Sequence, residues 1–230
     1  MTKKAVCLIS GGLDSAVTAF IAKKQGYELY ALSFRYGQRH KKEISCAKKL
    51  VNAVGIIEHI VINIDLQKFG GSSLLSTSQY RINNHKLEDI GKKVPSTYVP
   101  ARNTIFLSIA LAYAEVIKAT AIFIGVNSVD FSAYPDCRPD YIRAFQYLAN
   151  LATERTVKGK AINIKAPLLY LSKSEIIKEG VKLNVPFRNT WSCYRGGTKA
   201  CGRCDSCRLR IKGFKEAKVK DPISYITSSR

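Results

Sequence analysis

Two rhythms of apolar residues alternate along this chain. A continuous apolar run at 5–9 predicts a strand. Apolar residues then recur at Leu13, Ala16, Val17, Phe20 and Ile21, the spacing of one buried helical face, and predict a helix over 14–24. The pattern repeats: a strand at 28–34, then a helix from about 40 to 54 with Ile44, Ala47, Val51 and Val54 on one side, then a strand at 59–64. Residues 103–117 are almost wholly apolar and predict a buried helix, followed by a strand at 121–126. Pro139 suits the first turn of a helix carrying Ile142, Phe145, Ala149 and Ala152. A short strand is expected at 163–166. Ser172-Lys173-Ser174-Glu175 reads as a capping box, with Leu171 and Ile176 as its hydrophobic staple, opening a helix to about 183. This alternation predicts an α/β fold with a doubly wound, mainly parallel sheet, whose ligands sit at the carboxyl ends of the strands. Two stretches break the rhythm. Residues 66–99 are rich in Gly, Ser, Asn and Lys and read as an insertion of the lid or mobile-loop kind. Residues 186–210 hold a cysteine cluster without a regular pattern. The expected organisation is an α/β domain over 1–185 and a small cysteine-rich, zinc-binding segment with a tail over 186–230.

Composition narrows the setting. The chain has 230 residues and a formal net charge of +20. Such a charge favours polyanionic partners. It is nevertheless spread out and mostly lysine, at Lys41, Lys42, Lys48 and Lys49 on the polar faces of one helix and at Lys212, Lys215, Lys218 and Lys220 in the tail. That pattern reads as a solvated surface, and a nucleic acid is not required. No run is long enough to span a membrane. The apolar stretch that follows Lys4 is too short for a secretion signal, so a cytoplasmic setting is expected.

The richest local chemistry lies in Ser10-Gly11-Gly12-Leu13-Asp14-Ser15. It joins a strand to a helix start. Glycines let the backbone turn and approach a ligand, and the helix N-terminus offers unpaired N–H donors to an anion. Ser10 and Ser15 can donate to phosphate oxygens. Asp14 would repel a bare phosphate, so it either caps the helix or holds a metal that phosphate shares. The loop is neither a Walker A loop nor a GxGxxG fingerprint. It resembles the pyrophosphate loop of the ATP pyrophosphatases, which split ATP into AMP and pyrophosphate while adenylating a substrate oxygen.

Seven cysteines in such a chain argue against a disulfide framework. Cys193, Cys201, Cys204 and Cys207 fall within fifteen residues, the number of thiolates that a closed structural zinc site needs. Gly196, Gly197 and Gly202 permit tight turns around a metal, and Lys199, Arg203, Arg208 and Arg210 would offset its negative thiolates. An iron–sulfur cluster is the competitor, but the ferredoxin continuation is absent after Cys207. Cys7 and Cys46 read as ordinary buried residues.

Other polar groups cluster at strand ends. Asn103 is a natural N-cap for the buried helix, and Arg102 beside it could reach phosphate or carboxylate. Residues 125–138 leave the fourth strand with carboxylates, aromatics and an arginine. A purine-like base could stack on Phe131 or Tyr134 and donate paired N–H groups to Asp130 or Asp136, with Arg138 close in sequence. Lys173 is either a solvated lysine or a phosphate ligand. None of His40, His59 and His85 has a local partner that suggests catalysis.

Together these stretches resemble the 7-cyano-7-deazaguanine synthase family of queuosine biosynthesis over essentially the whole chain. The matching segments are Leu8 through Ser15, Phe34-Arg35-Tyr36-Gly37-Gln38, Val99-Pro100-Ala101-Arg102-Asn103, Val126-Asn127 with Tyr134-Pro135-Asp136-Cys137-Arg138, and Ser192-Cys193-Tyr194 with Cys201, Gly202, Cys204 and Cys207. The resemblance implies an adenine nucleotide alpha hydrolase-like fold and an ATP-dependent ligase. Its substrates would be 7-carboxy-7-deazaguanine and ammonia, with the carboxylate and then the amide adenylated on the way to the nitrile. It maps an ATP segment onto Leu8, Ile9, Ser10, Gly11, Gly12, Leu13, Asp14, Ser15, Ala16, Val17 and Thr18, and a structural zinc onto the four clustered cysteines. It also implies Mg2+ with ATP, and a homodimer. Asp14, Arg102 and Lys173 are the candidate catalytic residues. Asp130, Tyr134, Asp136 and Arg138 are the candidate substrate residues. No N-terminal cysteine glutaminase follows Met1, so free ammonia is the expected nitrogen source. Two other readings share the ATP loop: a tRNA-sulfurating enzyme with a cysteine-bound cluster, and a non-catalytic nucleotide-binding adaptor.

Overall fold

The structure, a computed structural model, describes residues 2–39, 42–82, 84–129 and 133–226. Five strands form one sheet: β1 (Lys3–Leu8), β2 (Tyr27–Arg35), β3 (Glu58–Asn63), β4 (Ala121–Phe123) and β5 (Asn163–Lys165). Their order is β3-β2-β1-β4-β5 and every neighbouring pair is parallel. The helices are α1 (Leu13–Lys24), α2 (Lys42–Val54), α3 (Arg102–Val116), α4 (Pro139–Leu151), α5 (Glu154–Val157), α6 (Lys173–Lys182) and α7 (Asp205–Ala217). The expected doubly wound parallel sheet is therefore present. The chain winds outward from β1 to β3, then crosses back to β4 on the other side of β1. That reversal opens a crevice beyond the carboxyl ends of β1 and β4.

Helices cover both faces, which is why β1 is a continuous apolar run rather than an alternating one. Val6, Leu8 and Leu32 pack with Leu107, Ala110, Leu111 and Ala114 of α3 on one face. Ala5, Cys7, Leu29 and Ala31 pack with Ala19 and Ala22 of α1 and Ala47 and Val51 of α2 on the other. A further cluster joins Leu13 and Val17 of α1 to Ile176 and Ile177 of α6 and Phe214 of α7. No helix of the described residues is long and apolar enough to cross a membrane.

Three local expectations change. The helix at 205–217 has no counterpart in the sequence reading. Its buried face runs through Cys207, Arg210, Phe214 and Ala217, at helical spacing. A charged residue in the middle of that face hides the apolar period. Arg210 also has a different task from screening the cysteines, because it pairs with Asp221 through Nε–Oδ2 at 2.8 Å and Nη2–Oδ1 at 3.0 Å. Asn103 does not cap α3. Ala101, at φ 52, is the N-cap residue and offers no side-chain bond. The carboxylate of Asp136 supplies it instead, accepting from the Asn103 N–H at 3.0 Å. The capping box at α6, by contrast, is present in full.

The segment at 66–99 holds two short 3-10 turns, Leu66–Lys68 and Leu87–Asp89. It folds down onto the sheet through the buried Leu66, Leu75 and Val99. Arg39 anchors it by donating to the carbonyls of Ser73, at 2.7 Å, and Ser78, at 2.7 Å.

Candidate active site

A cavity of about 240 Å³ occupies the crevice. Leu8, Ile9, Ser10, Gly12, Leu13, Asp14 and Ser15 line it from the turn after β1. Gly11 adopts φ +88, and a Cβ there would lie 2.1 Å from the Glu43 carbonyl oxygen. Only glycine lets α2 approach this closely. Gly12 is the N-cap of α1 and provides no side-chain cap. The first-turn N–H groups of α1, with the positive end of its dipole, therefore face the cavity. Ser10 Oγ donates to Ser15 Oγ at 3.1 Å, and Ser15 Oγ to the Gly12 carbonyl at 3.1 Å, which fixes the turn. Gly125 closes the opposite wall, where a Cβ would meet the Ser15 nitrogen at 2.9 Å. Ala16 and Val17 point into the core, and Thr18 is buried.

Asp14 and Lys173 come together from residues far apart in sequence. Lys173 Nζ lies 2.7 Å from Asp14 Oδ1 and 2.9 Å from Oδ2, and the lysine side chain is only 8% exposed. Of the two alternatives for Lys173, the solvated one is ruled out. The capping box starts α6 so that its first residue points at the turn after β1.

Arg102 lies on the far wall. Its Nη1 donates to the Tyr36 hydroxyl at 3.4 Å. Burial alone would lower its affinity for the proton, but Tyr36, Asp136 and Cys137 outweigh that effect and hold the guanidinium charged. Tyr36 is positioned by Gln38, whose Oε1 accepts the Tyr36 N–H at 2.8 Å while its Nε2 donates to the Phe34 carbonyl at 3.2 Å. Glu43 also lines the cavity and did not stand out in the sequence. Burial pushes its carboxyl up to about 7, with Arg102 pulling the other way.

The proposed base-reading segment divides. Tyr134 lines the cavity and shares a 2.7 Å hydrogen bond with Thr97. Asp136 is buried and engaged at the start of α3, away from the cavity wall. Arg138 is exposed and donates to the Pro135 carbonyl at 3.3 Å. Asp130 and Phe131 lie outside the described residues. Cys137 faces the cavity, but burial, helped by Asp136, pushes its thiol up to about 12. It is a thiol rather than a thiolate near neutrality, and so a poor sulfur-transfer nucleophile. His85, which has no local partner in sequence, pairs through Nδ1 with Asp205 Oδ2 at 2.7 Å.

Cys193, Cys201, Cys204 and Cys207 converge, all buried, with their sulfurs within 4.8 Å of one another. Tetrahedral Zn–S bonds of about 2.3 Å would separate the sulfurs by about 3.8 Å. The Cys201–Cys207 separation is already 3.9 Å. Backbone N–H groups of Cys201 and Cys204 donate to the sulfurs of Cys193 and Cys201 at 3.3 Å each, which orients these sulfurs within the cluster. The four residues fit a metal ion such as zinc. Their loop also builds cavity wall, since Trp191, Ser192, Tyr194 and Ser206 line the cavity beside Cys193 and Cys207. The Trp191 N–H donates to the Gly11 carbonyl at 2.9 Å, tying this loop to the turn after β1.

Known proteins sharpen this picture. The chain matches the model of the family described as queuosine biosynthesis protein QueC over residues 4–218. A 7-cyano-7-deazaguanine synthase from Cellvibrio japonicus is 54% identical over 225 residues, covering 97% of this chain and 98% of that one. Another of the same name, from Geobacter sp. strain M21, is 53% identical over 227 residues, covering 98% and 99%. A third, from Trichodesmium erythraeum, is 52% identical over 220 residues, covering 96% and 99%. With the cavity, the glycine turn and the four-cysteine cluster all lying inside the matched residues, this chain belongs to the queuosine biosynthesis protein QueC family.

Proposed function

We propose that the chain is an ATP-dependent ligase that converts 7-carboxy-7-deazaguanine and ammonia to 7-cyano-7-deazaguanine. One observation carries the reading: the open N-terminus of α1, the Asp14–Lys173 pair and the charged Arg102 all belong to one crevice. Adenylation of a carboxylate needs charge stabilisation on a transferring phosphoryl group and no protein nucleophile. The first-turn N–H groups of α1, with Ser10 and Ser15, would hold the pyrophosphate part of ATP. Asp14 presents a carboxylate for the Mg2+ that accompanies ATP, and Lys173 fixes its orientation. When bound, Mg2+ would neutralise charge on the departing pyrophosphate. Arg102 would steady the substrate carboxylate or the α-phosphate. Tyr134 gives the deazaguanine an aromatic wall, and Asp130 would accept its paired N–H donors.

Zinc in the four-cysteine cluster would be structural, since four protein ligands leave no open position. We further infer a cytoplasmic homodimer, for which the exposed Tyr147, Leu148 and Leu151 give α4 an apolar face. The tRNA-sulfurating alternative is weakened by the relatives from Trichodesmium, Geobacter and Cellvibrio, each named 7-cyano-7-deazaguanine synthase.

The test is a mass spectrum of the products from enzyme, magnesium-ATP, ammonium and 7-carboxy-7-deazaguanine. A nitrile with AMP is expected. An unchanged base would sink the ligase reading and turn attention to the tRNA enzyme. Asp14→Asn keeps the shape of the pair and removes its charge. It is expected to lower turnover by about 100-fold or more, with metal content unchanged. Turnover near the parent rate in Asp14→Asn would overturn the role given to Asp14.

A further inference from the structure

The nitrogen chemistry of this reaction makes a demand that Asp14, Lys173 and Arg102 do not meet. Ammonium enters with four N–H bonds, and the nitrile nitrogen of the product keeps none. All those protons leave one nitrogen atom inside the cavity. A proton acceptor must therefore face the reacting carbon. Asp14 is engaged by Lys173, Asp136 is engaged at α3, and Cys137 is a thiol. Resting on the ligase reading, we propose that Glu43 is the group that receives ammonium and accepts the protons nitrogen gives up.

Four observations support this. Glu43 stands in the first turn of α2 and lines the cavity together with Ser10, Asp14 and Arg102. Its place is fixed by backbone, because its carbonyl lies where a Cβ on Gly11 would fall. Its carboxylate makes no hydrogen bond or ion pair among the described residues, although the charged Arg102 acts on it from α3. It titrates near neutrality, where a carboxyl both accepts and releases protons readily. A carboxylate on the cavity wall that makes no hydrogen bond among the described residues is free to take a cationic ligand.

The steps balance as follows. Glu43 takes one proton from ammonium. Nitrogen attacks the carbonyl carbon of the acyl adenylate, a C–N bond forms, the C–O bond breaks, and AMP leaves with the electron pair. Glu43 releases its first proton to solvent, accepts the surplus proton from nitrogen and releases that in turn. The amide oxygen then attacks the α-phosphorus of a second ATP, pyrophosphate leaves, and Glu43 accepts one N–H proton and passes it to solvent. Glu43 accepts the last N–H proton, and the electron pair of that bond completes the C≡N bond as the second AMP departs.

The experiment separates this role from phosphate or metal binding. Exchange of labelled pyrophosphate into ATP, with 7-carboxy-7-deazaguanine and no ammonium, reports the first adenylation alone. Nitrile formation with ammonium reports the whole sequence. Glu43→Gln is expected to lower nitrile formation by about 100-fold or more while its exchange rate stays within about twofold of the parent. Retained exchange also shows that the variant is folded. Parallel loss of both activities would overturn the proposal and make Glu43 part of the ATP site. Nitrile formation at the parent rate would overturn it as well. If the parent protein itself neither exchanges pyrophosphate nor forms nitrile, the ligase reading fails and the role of Glu43 falls with it.

Discussion

Arg210→Ala is expected to lower the unfolding free energy by about 3–5 kcal/mol, the cost of removing one partner from a buried ion pair. Arg210 is 2% exposed, and Asp221 is 10% exposed. The guanidinium engages both carboxylate oxygens of Asp221. It also donates to Thr190 Oγ1 at 2.8 Å, to Ser192 Oγ at 3.3 Å and to the Phe187 carbonyl at 3.4 Å. The alanine variant would leave a buried carboxylate with only the Tyr225 hydroxyl, at 2.6 Å, and the Ile223 N–H, at 3.2 Å. Urea unfolding followed by circular dichroism measures the loss. A change below about 1 kcal/mol would mean that the pair merely offsets its own desolvation. Double replacement of Arg210 and Asp221 by apolar residues should recover much of the stability, because it removes the orphaned charge.

Cys207→Ser is expected to purify with little or no metal, against one zinc per chain in the parent protein. Losing one of four thiolates opens the coordination shell and removes binding energy that is coupled to folding. The damage should not stay local. Ser206 and Ser192 line the cavity next to ligand cysteines, and the Trp191 N–H holds the Gly11 carbonyl. ATP affinity should therefore fall together with zinc content. Elemental analysis and nucleotide titration on the same preparations check both points. A metal-free variant that binds ATP as the parent does would break the link between cluster and cavity. A brown parent protein with iron and labile sulfide would replace zinc by a cluster.

Much of the architecture is legible locally, because a parallel sheet covered on both sides writes its strands as unbroken apolar runs. Residues 5–9 are such a run and 29–34 is interrupted only by Ser33, and β1 and β2 follow them closely. The turn after β1 is legible for the same reason: its glycines, its serines and the helix start lie within six residues. What escaped depends on long-range approach. Glu43 looks like any acid in a first helical turn, and only the absence of a side chain at Gly11 brings it to the cavity. Asp136 has the chemistry of a base reader, but the left-handed Ala101 leaves the start of α3 in need of an acceptor, and Asp136 supplies it. The helix α7 was hidden because its buried face carries Arg210 where apolar periodicity expects a leucine. Lys173 could be placed on a helix start, but its partner lay across the fold.

The position of Trp191 has a practical consequence. It is the single tryptophan of the chain. Its indole nitrogen donates to the Cys193 carbonyl at 3.0 Å, and the Lys42 ammonium sits 3.5 Å from its ring centroid. Indole emission responds to nearby charge and to hydration. Excited at the red edge of protein absorbance, the molecule should report nucleotide entry on one side of this ring and metal loss on the other. Both events can thus be followed by fluorescence without attaching a dye.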